Sequence, residues 1–443
     1  MKKFVFSLVP FAMTGALHAF DYKVNGTAET FTKWGFNNQA LNIQRGIAPT
    51  ESFTTLFSQL NINADLGAGF EVGLGGAIGG LAFDSTTNAP ATTNGAVGTP
   101  VQNSYYGVSW DKASLQNYMV QNAFAQYNSN NVYLKLGRYE SGKVGKYFSG
   151  YNQGAEGYIT FSAFKVWGFW SNRRAFAYNQ WFNDFYRVHG KDSKGHNRQT
   201  YAFGVDATFG GFGASLFTYF VPTKFTAPGA SLSYDTNPQF DGSGVRTIIK
   251  ANAIFPQKNA GFNSLGRNWG VIESSTASLL LDLKTQVNNF SFGAGVYKNF
   301  GNANALIGTW GNPLNALLDI WTASAYEQGA ALNDIVGKDA FTGFGFVGAT
   351  HGALDWQILA RGTNSPRSAE SSLALILKYK LREDISVGGK IEGFIDTTKA
   401  GYNPIYGYYR VNGGSGGIDN TGGIAQKRTD DRSHIFFYIA HSF

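Results

Sequence analysis

The chain has 443 residues, with 36 lysines and arginines against 29 acidic residues, 56 glycines, 11 prolines and no cysteine. Only 15% of residues are charged while 16% are aromatic, which excludes a disordered chain and, with glycine this abundant, a helical one. A β-rich protein survives, either soluble or embedded in a membrane.

The start, MKKFVFSLVPFAMTGALHAF, places Lys2 and Lys3 before an apolar run from Phe4 to Leu17 and ends in the small Ala19. That is the layout of a secretory signal peptide cleaved after Ala19. An N-terminal anchor is the alternative, but Pro10, Thr14 and Gly15 interrupt a run already too short to cross a bilayer. Removing residues 1–19 from 443 leaves 424 and takes two lysines from the formal +7, leaving +5. This modest charge, without a basic tract, argues against a nucleic-acid partner. The lack of cysteine excludes disulfides, thiolate metal sites and a cysteine nucleophile. No later segment holds 18 consecutive apolar residues, so helical membrane spans are excluded.

Strand-like alternation then recurs along the chain. Tyr22, Val24, Gly26 and Ala28 oppose Lys23, Asn25, Thr27 and Glu29; Leu56, Leu60, Ile62 and Leu66 oppose Gln59, Asn61, Asn63 and Asp65. The pattern returns with Leu279, Leu281 and Leu283 against Asp282 and Lys284, and with Ile391 and Ile395 against Lys390 and Glu392. A period of two gives each strand one oily and one wet face. The runs reach about 9–13 residues, close to the length of a tilted bilayer-spanning strand. In lipid such a sheet must close on itself, with its apolar face outward and its polar face on a lumen.

Hairpins are expected at 56–66 with 70–82, 201–209 with 212–220, 277–287 with 290–299, and 373–381 with 385–395. Long polar segments fall at 84–118, 222–244, 256–275, 300–339 and 397–431. Alternating short and long connections mark an outer-membrane β-barrel. At about 23 residues per strand the count is about 18, with 16 as the even-numbered runner-up. The reading is therefore one all-β transmembrane antiparallel barrel over residues 20–443. The last segment, SHIFFYIAHSF, ends on Phe443, and a terminal strand finishing in Phe resembles the signal read by the barrel assembly machinery.

The stretch 134–186 carries Leu136-Gly137-Arg138-Tyr139, then Tyr151-Asn152-Gln153-Gly154 with Glu156-Gly157, then Trp170-Ser171-Asn172-Arg173-Arg174-Ala175. It resembles the Helicobacter outer-membrane porin (Hof) family and, more distantly, channels of the OprD type. That resemblance implies a channel of about 18 strands with an inward-folded loop narrowing the pore.

Candidate pore-lining residues follow from charge and parity. Arg138, Lys143 and Lys146 flank a Gly-rich break, and Arg173, Arg174 and Arg187 follow. Basic rings favour anions in pores, while pairing with Glu140, Glu156 and Asp184 to hold a loop is the plainer alternative. Asp282, Lys284, Arg361, Lys390 and Glu392 join them by strand parity, as a mixed electrostatic lining. The aromatics Trp167, Trp170, Tyr178 and Trp181, with Tyr402, Tyr406, Tyr408 and Tyr409, read as an interfacial girdle.

An enzyme would need fixed geometry, and the only His–acid group, Asp184, His189, Asp192 and His196, reads as a solvated loop. No phosphate loop, cofactor or metal site is expected, and there is no room for a plugged receptor of about 22 strands. An adhesin using its long external loops is the serious alternative. The favoured reading is a porin in the outer membrane of a Gram-negative bacterium, passing small hydrophilic solutes or ions passively with a mild anion preference.

Overall fold

The computed structural model describes residues 21–443 apart from 43–44, 46, 90–96, 110, 113, 143, 145–147, 261, 263–272, 308–317, 320–321, 327–332, 403–410, 413–416 and 419–423. The leader expected over 1–19, Lys143, Lys146, Tyr406, Tyr408 and Tyr409 lie outside the described residues. Among them, no helix is long and apolar enough to cross a membrane.

Eighteen antiparallel strands close into one barrel. The first six are β1 (Asp21–Gly35), β2 (Phe53–Gly67), β3 (Phe70–Asp84), β4 (Tyr118–Asn128), β5 (Val132–Glu140) and β6 (Tyr151–Phe161). The next six are β7 (Phe164–Ala177), β8 (Thr200–Phe209), β9 (Phe212–Val221), β10 (Phe225–Asp235), β11 (Val245–Ile254) and β12 (Ala277–Val287). The last six are β13 (Phe290–Phe300), β14 (Phe341–His351), β15 (Leu354–Asn364), β16 (Ser368–Lys380), β17 (Ile385–Thr398) and β18 (His434–Ser442). Each pairs with its neighbours in sequence, and β1 closes the sheet on β18 in the register Thr27↔Ser442 to Gly35↔His434. Phe443 extends that seam, exchanging backbone hydrogen bonds with Gly26 at 2.8 and 3.0 Å.

Alternation decides which face meets lipid. Leu281 is 54% exposed and its neighbour Leu280 only 2%, although both are leucines. Leu280 points inward with Tyr297, Phe344 and Leu359. Leu56, Leu60, Ile62, Ile391, Ile395, Phe437 and Ile439 all lie on the exposed outer face, as their parity dictates.

At one end the turns are tight. Gly67, Ala68 and Gly69 adopt φ of 81°, 51° and 85° in succession, a left-handed path that glycine follows without steric cost. At the other end lie the long connections 36–52, 85–117, 141–150, 178–199, 255–276, 301–340 and 399–433.

Two connections at that end are short, and one corrects the sequence reading. The expected long segment 222–244 contains β10, so that only 222–224 separate it from β9. Pro228 and Gly229 disguise the strand. Pro228 has no N–H to give, and it sits where the ladder to β11 breaks: Gly229 pairs Ile254 and Thr226 pairs Gln257, with Phe255 and Pro256 between. Proline is tolerated in sheets at such irregularities.

Candidate pore lining

The lumen is narrowed by connections that fold inward. The segment 301–340 leaves β13, and its short helix Asn304–Ile307 packs Leu306 and Ile307 against Tyr219, Val221, Phe225 and Ile254 on β9–β11. Its far end packs Ile335 and Val336 against Leu280, Tyr297, Phe344 and Leu359. Between them, residues 323–325 reach β1 and the end of the connection that leads into β2. Lys33 Nζ donates to the Ala323 carbonyl at 3.0 Å, the Ala325 N–H donates to Glu51 Oε2 at 2.7 Å, and Ser324 Oγ donates to the Pro49 carbonyl at 2.8 Å. The described parts of one connection therefore touch three sectors of the wall, and we call them the strap.

A second strut is the tip 178–181, where the Thr55 hydroxyl donates to the Asn179 carbonyl. A third is the segment 99–117. Its helix Pro100–Ser104 opens on a capping box, in which Thr99 and Gln102 satisfy each other's backbone N–H groups. Tyr105 and Tyr106 follow and pack inside the barrel with Phe31, Phe53, Phe57, Phe182 and Phe436. Aromatic rings therefore fill much of the lumen between β1–β3 and the inward segments.

Beside the strap lies an open cavity of about 420 Å³, lined in part by Asn179, Gln180, Asp319, Arg361, Lys390 and Glu392. The charges there are held in pairs. Arg361 Nη1 lies 2.8 Å from Glu370 Oε2, and the guanidinium stacks 5.0 Å from the centre of the Phe394 ring. Lys390 Nζ lies 2.7 Å from Glu392 Oε2, 3.3 Å from Asp319 Oδ2 and 4.2 Å from the centre of the Phe436 ring. His434 Nε2 lies 3.4 Å from Glu392. Asp334 of the strap is gripped from below, by Arg367 Nη1 at 3.2 Å, by Ser365 Oγ at 2.8 Å and by the Ser368 hydroxyl. Two buried nitrogens bordering this cavity, Arg361 Nη2 and Gln180 Nε2, have no hydrogen-bond partner among the described residues.

The other sequence candidates fall elsewhere. Arg138 shares the parity of the exposed Leu134 and Leu136, and it is held by Gln153 Oε1 at 3.2 Å, the Val120 carbonyl at 3.1 Å and the Phe185 ring. Arg173 and Arg187 both face Asp111, at 3.7 and 3.3 Å. Arg174 is buried, with two 2.6 Å hydrogen bonds to Ser149 and the Phe176 ring beneath it. These arginines fasten neighbouring segments together, and the partners differ from the acids suggested by sequence proximity: Asp184 pairs instead with Lys112 at 2.8 Å. Asp282 and Lys284 point inward from another sector of the wall, with Asp282 directly opposite Lys250 in register.

Trp167 is 4% exposed and donates to Asp206 at 3.2 Å, so it packs inside rather than in an outer girdle. His189 is likewise buried, not solvated. Its Nδ1 lies 2.9 Å from Lys224 Nζ, whereas His196 pairs with Asp192 at 3.4 Å in an exposed turn. The described residues contain no metal-binding cluster of histidines and acids.

Sequence reasoning missed Glu370, Asp319, Asp334, Lys33 and Glu51. Parity puts Glu370 and Lys33 on inward faces and was sufficient to find them. Asp319 and Asp334 lie in an aperiodic connection, where no local pattern marks them.

Comparisons with known proteins agree with this architecture. No curated protein matches the chain. Among solved structures, Pseudomonas aeruginosa OccK9 (OpdG) is similar with a TM-score of 0.63 at 11% identity, covering 96% of this chain and 98% of that one. Acinetobacter baumannii OccAB2 is similar with a TM-score of 0.62 at 9% identity, over 96% and 98%. Pseudomonas aeruginosa OccD3 (OpdP) has a TM-score of 0.58 at 9% identity, over 95% and 91%. The family model described as "Putative outer membrane protein" matches residues 7–443, and the chain belongs to this family of outer-membrane proteins.

Proposed function

We propose that the protein is a passive channel for small hydrophilic solutes, with a mild preference for anions. The observation that carries this reading is the cavity of about 420 Å³ between strap and wall, bordered by charged side chains and open to solutes. Fixed charges beside a narrow aqueous path sort ions by sign, and no bond needs to be made or broken. The anion preference rests on Arg361 and Gln180, which line this space and whose buried Nη2 and Nε2 have no hydrogen-bond partner among the described residues. Each would pair with a passing carboxylate or halide, since Arg offers a planar fork of donors. Neighbouring Lys390 adds a second cation, partly balanced by Glu392 and Asp319. An adhesive role has less support, because Val101, Tyr105 and Tyr106 of one long connection and Leu318, Ile335 and Val336 of another are buried in apolar clusters.

Reconstitution of the full chain in a planar bilayer under a salt gradient tests this. Discrete conductance steps with a reversal potential of anion sign are expected. Absence of steps overturns the channel; a cation-signed potential overturns the selectivity.

A further inference from the structure

A second lumen cavity, of about 400 Å³, lies against β1–β6, away from the charged pairs of the first. Its lining is dominated by side-chain amides: Asn25, Asn61, Asn63, Asn122 and Gln126. They form a connected array. Asn61 Oδ1 accepts from Asn122 Nδ2 at 2.5 Å and from Gln121 Nε2 at 3.0 Å, while Asn61 Nδ2 donates to Asn25 Oδ1 at 3.4 Å. Asn61 is thereby saturated on its acceptor side, which fixes the orientation of its neighbours. Asn63 Oδ1 is buried with no hydrogen-bond partner among the described residues.

Three carboxylates also line it, and each accepts a hydrogen bond from a neutral donor. Glu71 takes a hydrogen bond from Gln126 at 3.3 Å, Glu156 one from Tyr133 at 2.9 Å, and Glu140 one from Tyr178 at 2.9 Å. A carboxylate has about four lone-pair sites, so Glu71 and Glu140, which line the cavity, retain capacity. Lys135 lies among them, its Nζ 3.7 Å above the Phe124 ring.

We infer that this cavity is a binding subsite for a neutral polyhydroxylated solute, such as a short oligosaccharide, on its way through the barrel. Hydroxyl groups both donate and accept, and amides do the same, so a row of amides matches a row of hydroxyls without stranding either. The carboxylates of Glu71 and Glu140 accept further hydroxyl hydrogens. An anion meets three carboxylates here against one lysine, which separates this cavity in chemistry from the donor-rich one around Arg361. The inference rests on the channel reading, and it adds to it a solute class that charge selectivity would not pass.

The test is titration of maltotriose against single channels of the full-length protein in a planar bilayer. Transient current blocks that saturate with concentration are expected. The variant with both Asn122→Ala and Gln126→Ala is expected to weaken block at least tenfold, and Asn25→Ala, which loses only one long hydrogen bond, to weaken it less. Channels that conduct but are never blocked by maltotriose overturn the sugar site alone. Block by methylammonium but not by maltotriose overturns it in favour of a cation subsite. Absence of any conductance instead removes the channel reading on which it rests.

Discussion

Lys33 Nζ and Glu51 Oε1 lie 2.5 Å apart with neither side chain exposed, and each also holds the backbone of the strap at Ala323 and Ala325. Burial alone would raise the Glu51 carboxyl. The Lys33 charge, its hydrogen bond and that of the Ala325 N–H outweigh burial and hold the carboxyl below its ordinary range. A lowered carboxylate stabilises the fold above its unfolded pKa and loses that contribution as pH falls through the folded one. Removing one partner of a buried pair costs about 3–5 kcal/mol. Lys33→Met is therefore expected to lower the urea midpoint of the folded barrel and to free the strap, raising open-channel noise at neutral pH. An unchanged midpoint and quiet channels would show that the pair does not hold the strap.

The Lys224–His189 contact predicts a pH response at the rim of the barrel. Burial, then the nearby Arg198 charge, push the Lys224 ammonium down to about 7. Burial, then Lys224 and Arg198, hold His189 well below its usual value. A lysine with a lowered folded pKa carries its full penalty below that pKa and none above the unfolded value of about 10.4. Local stability should thus increase as pH rises through the alkaline range, and fall on acidification. Hydrogen exchange over 187–199, corrected for its intrinsic pH dependence, is expected to quicken as pH falls from about 9 to about 7. Lys224→Met should abolish that step. A step that persists in the variant assigns the response to another group.

Much of this was legible in the chain because a closed barrel leaves only two environments for a strand residue. Parity alone separates Leu281 from Leu280, and it places Arg361, Lys390 and Glu392 inward. It failed at Pro228, where a ladder break in the neighbouring strand accommodates a residue that otherwise reads as a loop. Nor can it pair Arg173 and Arg187 with Asp111, because Asp111 lies in a connection far along the chain rather than on an adjacent strand. An inward-folded loop was expected from the resemblance, but not which connection supplies it: Asp319 and Asp334 gain their roles from wall residues far along the chain.

Arg361 and Glu370 can be tested as a unit. Arg361→Ala alone leaves a buried carboxylate unpaired, so loss of folding would confound the result. Replacing both, Arg361→Met with Glu370→Gln, removes the two charges together, keeps an acceptor for the Asp334 N–H that Glu370 Oε1 holds at 2.6 Å, and also removes the unshared Nη2. The ratio of anion to cation permeability is expected to fall on the order of twofold, read as a reversal potential moved toward the cation side. A potential identical to that of the unaltered protein would make the pair purely architectural, and would move any anion preference to Lys390.

The seam offers a test of how the barrel closes. Phe443 bonds to Gly26 through its backbone and lays its ring over it: a Cβ on Gly26 would come within 2.7 Å of that ring and 2.5 Å of the Gln59 carbonyl. Glycine is needed at this close approach. Gly26→Ala is therefore expected to reduce the heat-modifiable folded fraction in purified outer membranes. Adding Phe443→Ala should restore it only in part, because the Gln59 carbonyl remains in the way. Phe443→Ala by itself leaves the backbone seam intact, so it discriminates between two roles of the ring. Purified protein that refolds normally in detergent but reaches the outer membrane poorly would support recognition of Phe443 by the assembly machinery. Equal defects in both settings would reduce the residue to a packing element of the seam, and normal behaviour in both would remove it from assembly altogether.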